Sequence, residues 1–108
     1  MCGICGVIDI KNPHPREDDV RNMMRIMKHR GPDDEGCIAV NTREGEVTPL
    51  GGADSRLPLP DAASFDGSAD LFLAHRRLAV IDLSPAGHQP MSYADGSLWM
   101  TCDGEIYN

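Results

Sequence analysis

MCGICGVIDI (Met1–Ile10) is the stretch on which the reading of the whole chain turns. It sets cysteines at positions 2 and 5 and runs straight into an apolar, β-branched segment. Residues 4–10, ICGVIDI, read as a largely buried strand. The two cysteines admit three chemistries. A CxxC pair serves a zinc site or a redox couple, while a cysteine directly after the initiator methionine becomes the amino terminus once that methionine is removed. Zinc needs about four ligands, typically two closely spaced pairs. Cys37 and Cys102 are isolated, however, and the four histidines show no paired spacing. A thioredoxin-like motif follows a strand and opens a helix, whereas this one precedes a strand. In the third chemistry Cys2 supplies both thiol and free α-amino group. An amine with an ordinary pKa near ~8 can act as general base for its own side chain. On these residues alone the plainer reading of Cys2, a small residue beside a strand, is the stronger one.

Outward from this stretch, NPHP (12–15) breaks the strand and EDDVRNMMRIMKHRG (17–31) is the one clear helix. Val20, Met23, Met24 and Met27 fall at i, i+3, i+4 and i+7, one face of a 3.6-residue period. Glu17, Asp18 and Asp19 in the first turn and Arg25, Lys28 and His29 in the last complement the helix dipole. Gly31 and Pro32 stop it. CIAVN (37–41) reads as a second strand. Thr42 to Asp70 is rich in Gly and Pro and reads as a long loop with a short hairpin at Glu44-Gly45. LFLAHRRLAVIDL (71–83) has strand character in two pieces around His75-Arg76-Arg77. SPAGHQP is a turn, and Asp95-Gly96 is a two-residue hairpin signal that sets MSYA against SLWMTC. The pattern is α+β. The chain stops at GEIYN just after a strand, which reads as an interrupted domain.

The chain has 108 residues, so it holds at most one domain. Its net charge of −7 repels phosphate backbones and disfavours nucleic-acid binding. No apolar run approaches the ~18 residues of a membrane span, nor is there a basic amphipathic anchor. Asp9, Lys11 and His14 interrupt any signal-peptide core. A cytoplasmic location with reduced thiols is therefore expected.

Four stretches then act together: MCGICGVIDI, HRGPDDEG (29–36), LAHRRLAVIDLSPAGHQPM (73–91) and GEIYN (104–108). In that order they resemble the N-terminal glutaminase domain of glutamine-hydrolysing asparagine synthetases, which are class II glutamine amidotransferases. The resemblance covers most of 1–41 and 71–108 and implies an N-terminal-nucleophile hydrolase fold, two stacked antiparallel sheets between helices, here truncated. Residues 42–70 look like a loop insertion. The resemblance implies that Cys2 is the nucleophile and that its α-amino group is the base. It gives the substrate's α-carboxylate to Arg77, whose planar fork suits that group, and its α-ammonium to Glu105. Leu78, Ala79, Val80 and Ile81 are implied to line the same pocket. Arg76, one residue off on an extended strand, reads as a solvent-facing charge.

The family commonly carries Asn-Gly before that Glu, forming the oxyanion hole. This chain has Asp103-Gly104 instead. An ionised carboxylate has no proton to donate, and losing one such donor costs ~3–4 kcal/mol. Reduced glutaminase activity is therefore expected. The HRGPDD segment reads as a structural turn, and His75 and His88 as hydrogen-bonded scaffold. LGGADS (50–55) is similar to the SGGxDS pyrophosphate loop of the ATP-using domain of the same enzymes. RLPLP follows it where a helix N-terminus is required, so it reads as a decoy.

The implied substrate is glutamine, with no cofactor for its hydrolysis and no metal site. Ammonia would pass to a C-terminal synthetase domain that uses ATP and Mg²⁺. A sheet edge left unpaired by truncation favours association, as in a homodimer. The rival readings are a class II relative serving another acceptor and a non-catalytic metal- or partner-binding module.

Overall fold

The computed structural model describes residues 1–9, 11, 17–93 and 95–104. Glu105 and the rest of GEIYN beyond Gly104, Ile10 and the NPHP break lie outside them. The described residues form an α+β unit. A four-stranded antiparallel sheet has the order β1-β4-β2-β3, from β1 (Gly3–Ile8), β2 (Asp34–Asn41), β3 (Glu46–Leu50) and β4 (Leu71–Arg77). Helix α1 (Glu17–Ile26) continues as a 3₁₀ turn through His29. A second, two-stranded sheet pairs β5 (Met91–Ser92) with β6 (Trp99–Met100).

The period-2 alternation of strands sorts the residues onto two faces. Cys5, Val7, Cys37, Ala39, Leu50, Phe72 and Ala74 meet the Val20, Met23 and Met24 stripe of α1, and Ala62 and Ala69 close this core. The helix face expected from the sequence is therefore the packed one, with Val20 and Met24 buried. On the other face, Ile4 and Ile8 of β1 are exposed, so β1 is buried on one side only. The expectation of a largely buried strand fails here because, among the described residues, β1 is an edge strand that meets only β4. Gly36, His75 and Arg77 on this second face meet the segment carrying β5 and β6. His75 Nε2 donates to the Cys102 carbonyl at 3.2 Å, and Gly36 packs against His88 and Gln89.

The stretch 42–70 holds the expected hairpin. Asn41 faces Glu46, the Asn41 side chain accepts from the Arg43 and Glu44 amides, and Gly45 takes a φ of 70°. Beyond β3 the chain leaves and returns through a narrow neck, where Gly51 N–H donates to Pro60 O and Ala62 N–H to Gly51 O. Phe65 then packs edge-on against Phe72, centroids 5.8 Å apart. The distal hairpin is also present, in the register that Asp95-Gly96 implies, with Met91 opposite Met100 and Ser92 opposite Trp99. Tyr93 N–H donates to Leu98 O and Gly96 N–H to Tyr93 O, and Ala94 lies outside the described residues.

Within 71–83 only residues 71–77 form a strand, rather than two strand pieces. After Arg77 the backbone N–H groups leave the ladder for side-chain acceptors: Leu78 N–H donates to Cys2 Sγ and Ala79 N–H to Asp33 Oδ2. The polar centre of that stretch is thus the buried end of β4. Arg76 corrects its expected role most sharply. It is 2% exposed, and its guanidinium contacts Gly31 O (2.9 Å), Asp54 Oδ2 (3.0 Å) and Glu35 Oε2 (3.3 Å). It faces α1, where the 52–55 turn supplies the acid that a solvent-facing arginine would lack.

Breaking this cluster leaves Glu35 and Asp54 without their shared cation. Arg76→Ala is expected to lower unfolding free energy by ~2 kcal/mol in urea titrations, short of the ~3–5 kcal/mol for a fully buried pair because Glu35 and Asp54 are only part-buried. A solvent-facing arginine would lose less than ~0.5 kcal/mol.

Candidate functional site

The β1–β4 register sets Gly3 opposite Arg76, so Cys2 stands opposite Arg77 on the second face of the sheet. A cleft of about 270 Å³ opens there. It is smaller than the ~300–1,000 Å³ of drug-sized sites, a scale that suits a single amino acid. Of the residues singled out by sequence, Cys2, Arg77, Leu78 and Gly104 line it. Gly87, Gln89, Met91, Met100 and Cys102 complete the wall together with Asp82. Sequence reasoning missed these six. Their only signals were the GHQPM run and the hairpin, which brings Met91 opposite Met100.

The Cys2 sulfur is half-buried and accepts the Leu78 N–H at 3.3 Å. A backbone N–H aimed at sulfur stabilises negative charge there. Met1, just before it, is 75% exposed, so its removal disturbs no packing.

Arg77 is buried but reaches the cleft. Its Nη1 donates to Ser84 O at 2.6 Å and its Nη2 to Asp82 O. Among the described residues these bonds engage two of five donors and leave three, enough to grip a carboxylate. The Asp82 carboxylate accepts the Ser84 amide at 2.8 Å. Hydrogen bonding from the Ser84 side chain, then that amide, then the nearby Arg77 charge hold its pKa below the ordinary carboxylate value.

The remaining predicted residues are dispersed. Ala79 is tied to Asp33, Val80 and Ile81 are exposed, and none of the three lines the cleft. Asp103 does not line it either; its carboxylate lies 3.5 Å from the Arg30 guanidinium. Gly104 does, with a φ of 152° that L side chains rarely adopt. Glu105 lies outside the described residues.

The HRGPDD turn is structural, and one of its acids is deeply placed. Asp34, 1% exposed, accepts from the Glu35 and Arg56 amides and from His88 Nδ1 at 2.7 Å. Burial alone would raise its pKa, but the His88 bond and the two amides carry it below the ordinary value. His75 is pushed below the usual histidine value by burial, which the bond to Cys102 O only partly offsets. It is therefore neutral at pH 7 and carries its proton on Nε2, toward that carbonyl. Both histidines are hydrogen-bonded into the scaffold, as expected for them.

The CxxC pair is split by strand geometry. Cys2 stands at the cleft, while Cys5 points to the helix-side core with Cys37. Cys5 and Cys37 both pair with Ala74, one on each side of β4. Two strand spacings, ~9.6 Å, separate them, too far for a disulfide. The LGGADS run does not present a phosphate cradle. Ser55 Oγ donates to Glu35 O, and Glu35 Oε2 accepts the Asp54 amide at 2.7 Å and lies against Gly52. A carboxylate thus occupies the position an anion would need.

Comparison with known proteins gives this geometry a context. The family model described as "Glutamine amidotransferase domain" matches residues 1–48 and 54–108. The unmatched residues fall at the end of β3 and the neck after it. The chain is 33% identical over its whole length to a Methanocaldococcus jannaschii protein provisionally named asparagine synthetase (glutamine-hydrolyzing) 1, and covers 18% of that protein. It is 31% identical over its whole length to the asparagine synthetase (glutamine-hydrolyzing) of Sandersonia aurantiaca, covering 15%. Against asparagine synthetase (glutamine-hydrolyzing) 1 of Bacillus subtilis the identity is 29% over 97% of this chain and 13% of that one. The chain thus spans less than a fifth of the length of these relatives. No solved structure matches it. Among the described residues no helix is long and apolar enough to cross a membrane.

The packed thiols set a pH dependence. Burial raises Cys37 from 9.0 to about 12 and Cys5 to about 11. The unfolded chain ionises these thiols first, so their contribution is complete below pH 9 and is lost as pH rises toward those values. Unfolding free energy is expected to fall by up to about 1.4 kcal/mol per pH unit per thiol above pH 9. Urea titrations across pH 8–11 check this, and Cys37→Ala should roughly halve the slope.

Proposed function

The chain belongs to the glutamine amidotransferase domain family, and from that premise we infer that the cleft holding Cys2 and Arg77 hydrolyses glutamine to glutamate and ammonia. The observation that carries this reading is the meeting of a half-buried thiol and a guanidinium with free donors in one cleft of amino-acid size. Arg77 pairs with the substrate's α-carboxylate, which directs the side-chain amide toward Cys2. After removal of Met1, the α-amino group of Cys2 takes the thiol proton, and the sulfur attacks the amide carbon. The C–N bond breaks as the proton passes to the leaving nitrogen, so ammonia departs and a γ-glutamyl thioester remains. Water, activated by the same amine, adds to the thioester carbon and releases glutamate and the free thiol. These steps need no cofactor. The Leu78 amide at the sulfur supports the thiolate.

In this reading the fold is that of the N-terminal-nucleophile hydrolases, with the described sheets as part of the sandwich. Gly104 contributes its N–H to the oxyanion hole, and Asp103 stands where the family has its amide donor. Glu105 meets the substrate's α-ammonium, while Ala79, Val80 and Ile81, which lie outside the cleft wall, are assigned to the substrate only by the motif they share with the family. Residues 42–70 are a loop insertion in this scheme. The names and lengths of the relatives support a continuation in which the ammonia serves asparagine synthesis by a C-terminal domain. ATP and Mg²⁺ for the conversion of aspartate to asparagine there follow from the family resemblance alone. Four unbridged thiols fit a reducing cytoplasm. The β1 edge, unlike β3 with its Pro49, carries no proline to block strand addition and is the surface for homodimer formation.

Intact and peptide mass after exposure to an electrophilic glutamine analogue tests the reading. Loss of Met1 and a single adduct on Cys2 are expected; retention of Met1 would sink the mechanism. Asp103→Asn restores a donor and is expected to raise glutamine turnover about 10²-fold. Turnover no faster than the parent's would show that Asp103 is not limiting.

A further inference from the structure

We propose that the turn Asp82–Gln89 is a brace that sets the side-chain conformation of Arg77, and that His88, through its bond to Asp34, is the positioning residue fastening this brace to the sheet. The proposal rests on the reading of Arg77 as the carboxylate-binding group of the cleft.

An arginine side chain has many rotamers, and a bidentate grip needs one of them held in advance. The turn does this from three sides. The Asp82 and Ser84 carbonyls accept from the two terminal nitrogens of Arg77. Gly87 lies against the guanidinium plane so closely that a Cβ there would fall 2.5 Å from its carbon. The turn is also closed internally. Asp82 Oδ1 accepts the Ser84 amide, Ser84 Oγ the Ala86 amide, and Pro85 O the His88 amide.

Internal closure fixes the shape of the turn but not its place. Residues 82–86 are exposed and contribute no buried side chain. The fastening comes at His88, whose side chain is 9% exposed and donates from Nδ1 to the buried Asp34 carboxylate. Asp34 is itself immobilised by the Glu35 and Arg56 amides. Gly36 makes room for the ring, since a Cβ there would lie 2.6 Å from His88 Nε2. One residue on, Gln89 Oε1 accepts the Cys102 amide at 2.6 Å and ties the same anchor to the far wall of the cleft. His88 does not line the cleft, so it acts only through Arg77 and Gln89.

The test compares Gly87→Ala, His88→Ala and His88→Asn in the full chain. Asparagine places an amide nitrogen where histidine has Nδ1, so it can still donate to Asp34. Steady-state kinetics are read with glutamine and with its α-carboxamide, which has no carboxylate for Arg77. His88→Ala should raise KM for glutamine about tenfold while leaving kcat, and KM for the carboxamide, nearly unchanged. Gly87→Ala, which crowds Arg77 from the cleft wall itself, should raise the glutamine KM at least as much. His88→Asn should restore the glutamine KM. Equal losses on both substrates, or a His88→Asn no better than His88→Ala, would overturn the proposal. The Nε–Hε resonance of Arg77, assigned through Arg77→Lys, reports the brace without any turnover. It should shift in Gly87→Ala and His88→Ala and return in His88→Asn. If the chain hydrolyses no glutamine the functional reading fails, and an unmoved resonance would separately overturn the brace.

Discussion

The alternation of two neighbouring arginines at the end of β4 is the constraint on which the rest of this structure depends. Arg76 points to the helix side and Arg77 to the cleft side, as period-2 geometry demands of adjacent strand residues. Burying a guanidinium is costly unless its charge and donors are met. Gly31 O, Glu35 and Asp54 meet those of Arg76. The same contacts draw together the turn after α1, the start of β2 and the neck region after β3. With Arg76 held, Arg77 has one direction left. Gly31 makes the approach possible, because a Cβ there would overlap the backbone of Arg76 and Arg77.

From that fixed end the cleft follows by strand register. Cys2 is opposite Arg77 because β1 pairs antiparallel with β4, and its sulfur takes the first amide that β4 no longer uses. The ladder therefore stops where the cleft begins. Asp33 takes the next amide, at Ala79. The HRGPDD turn, which carries no reactive group of its own, thus shapes the cleft from behind. Asp33 turns the chain away from the sheet, and Asp34 holds the histidine on the returning segment.

The helix face, the α+β class, both hairpins and the scaffold character of the histidines were legible, because each rests on local periodicity or turn chemistry. The environment of Arg76 was not, since its partners Glu35 and Asp54 lie 41 and 22 residues earlier in the sequence and nothing local announces them. The exposure of Ile4 and Ile8 was equally hidden. ICGVIDI has the composition of a buried strand, and only the strand order reveals that β1 is an edge. Of the cleft, Cys2, Arg77, Leu78 and Gly104 were found through motif resemblance. Gly87, Gln89, Met91 and Met100 were not, because their contribution depends on how a turn and a hairpin fold back over the sheet. Composition carries no record of that.

The pair of cysteines at the amino terminus shows how backbone geometry resolves what a motif leaves open. Three residues apart on an extended chain, Cys2 and Cys5 are sent to opposite faces, so the spacing that joins ligands in a turn separates them in a strand. Burial then divides their chemistry. The Cys5 thiol is pushed up to about 11 in the core, where its neutral form packs as a small hydrophobe. Cys2 meets a backbone N–H and a cleft. Of two thiols in one hexapeptide, only the one on the face of Arg77 opens to the cleft, and the choice is made by strand parity before any side chain is considered.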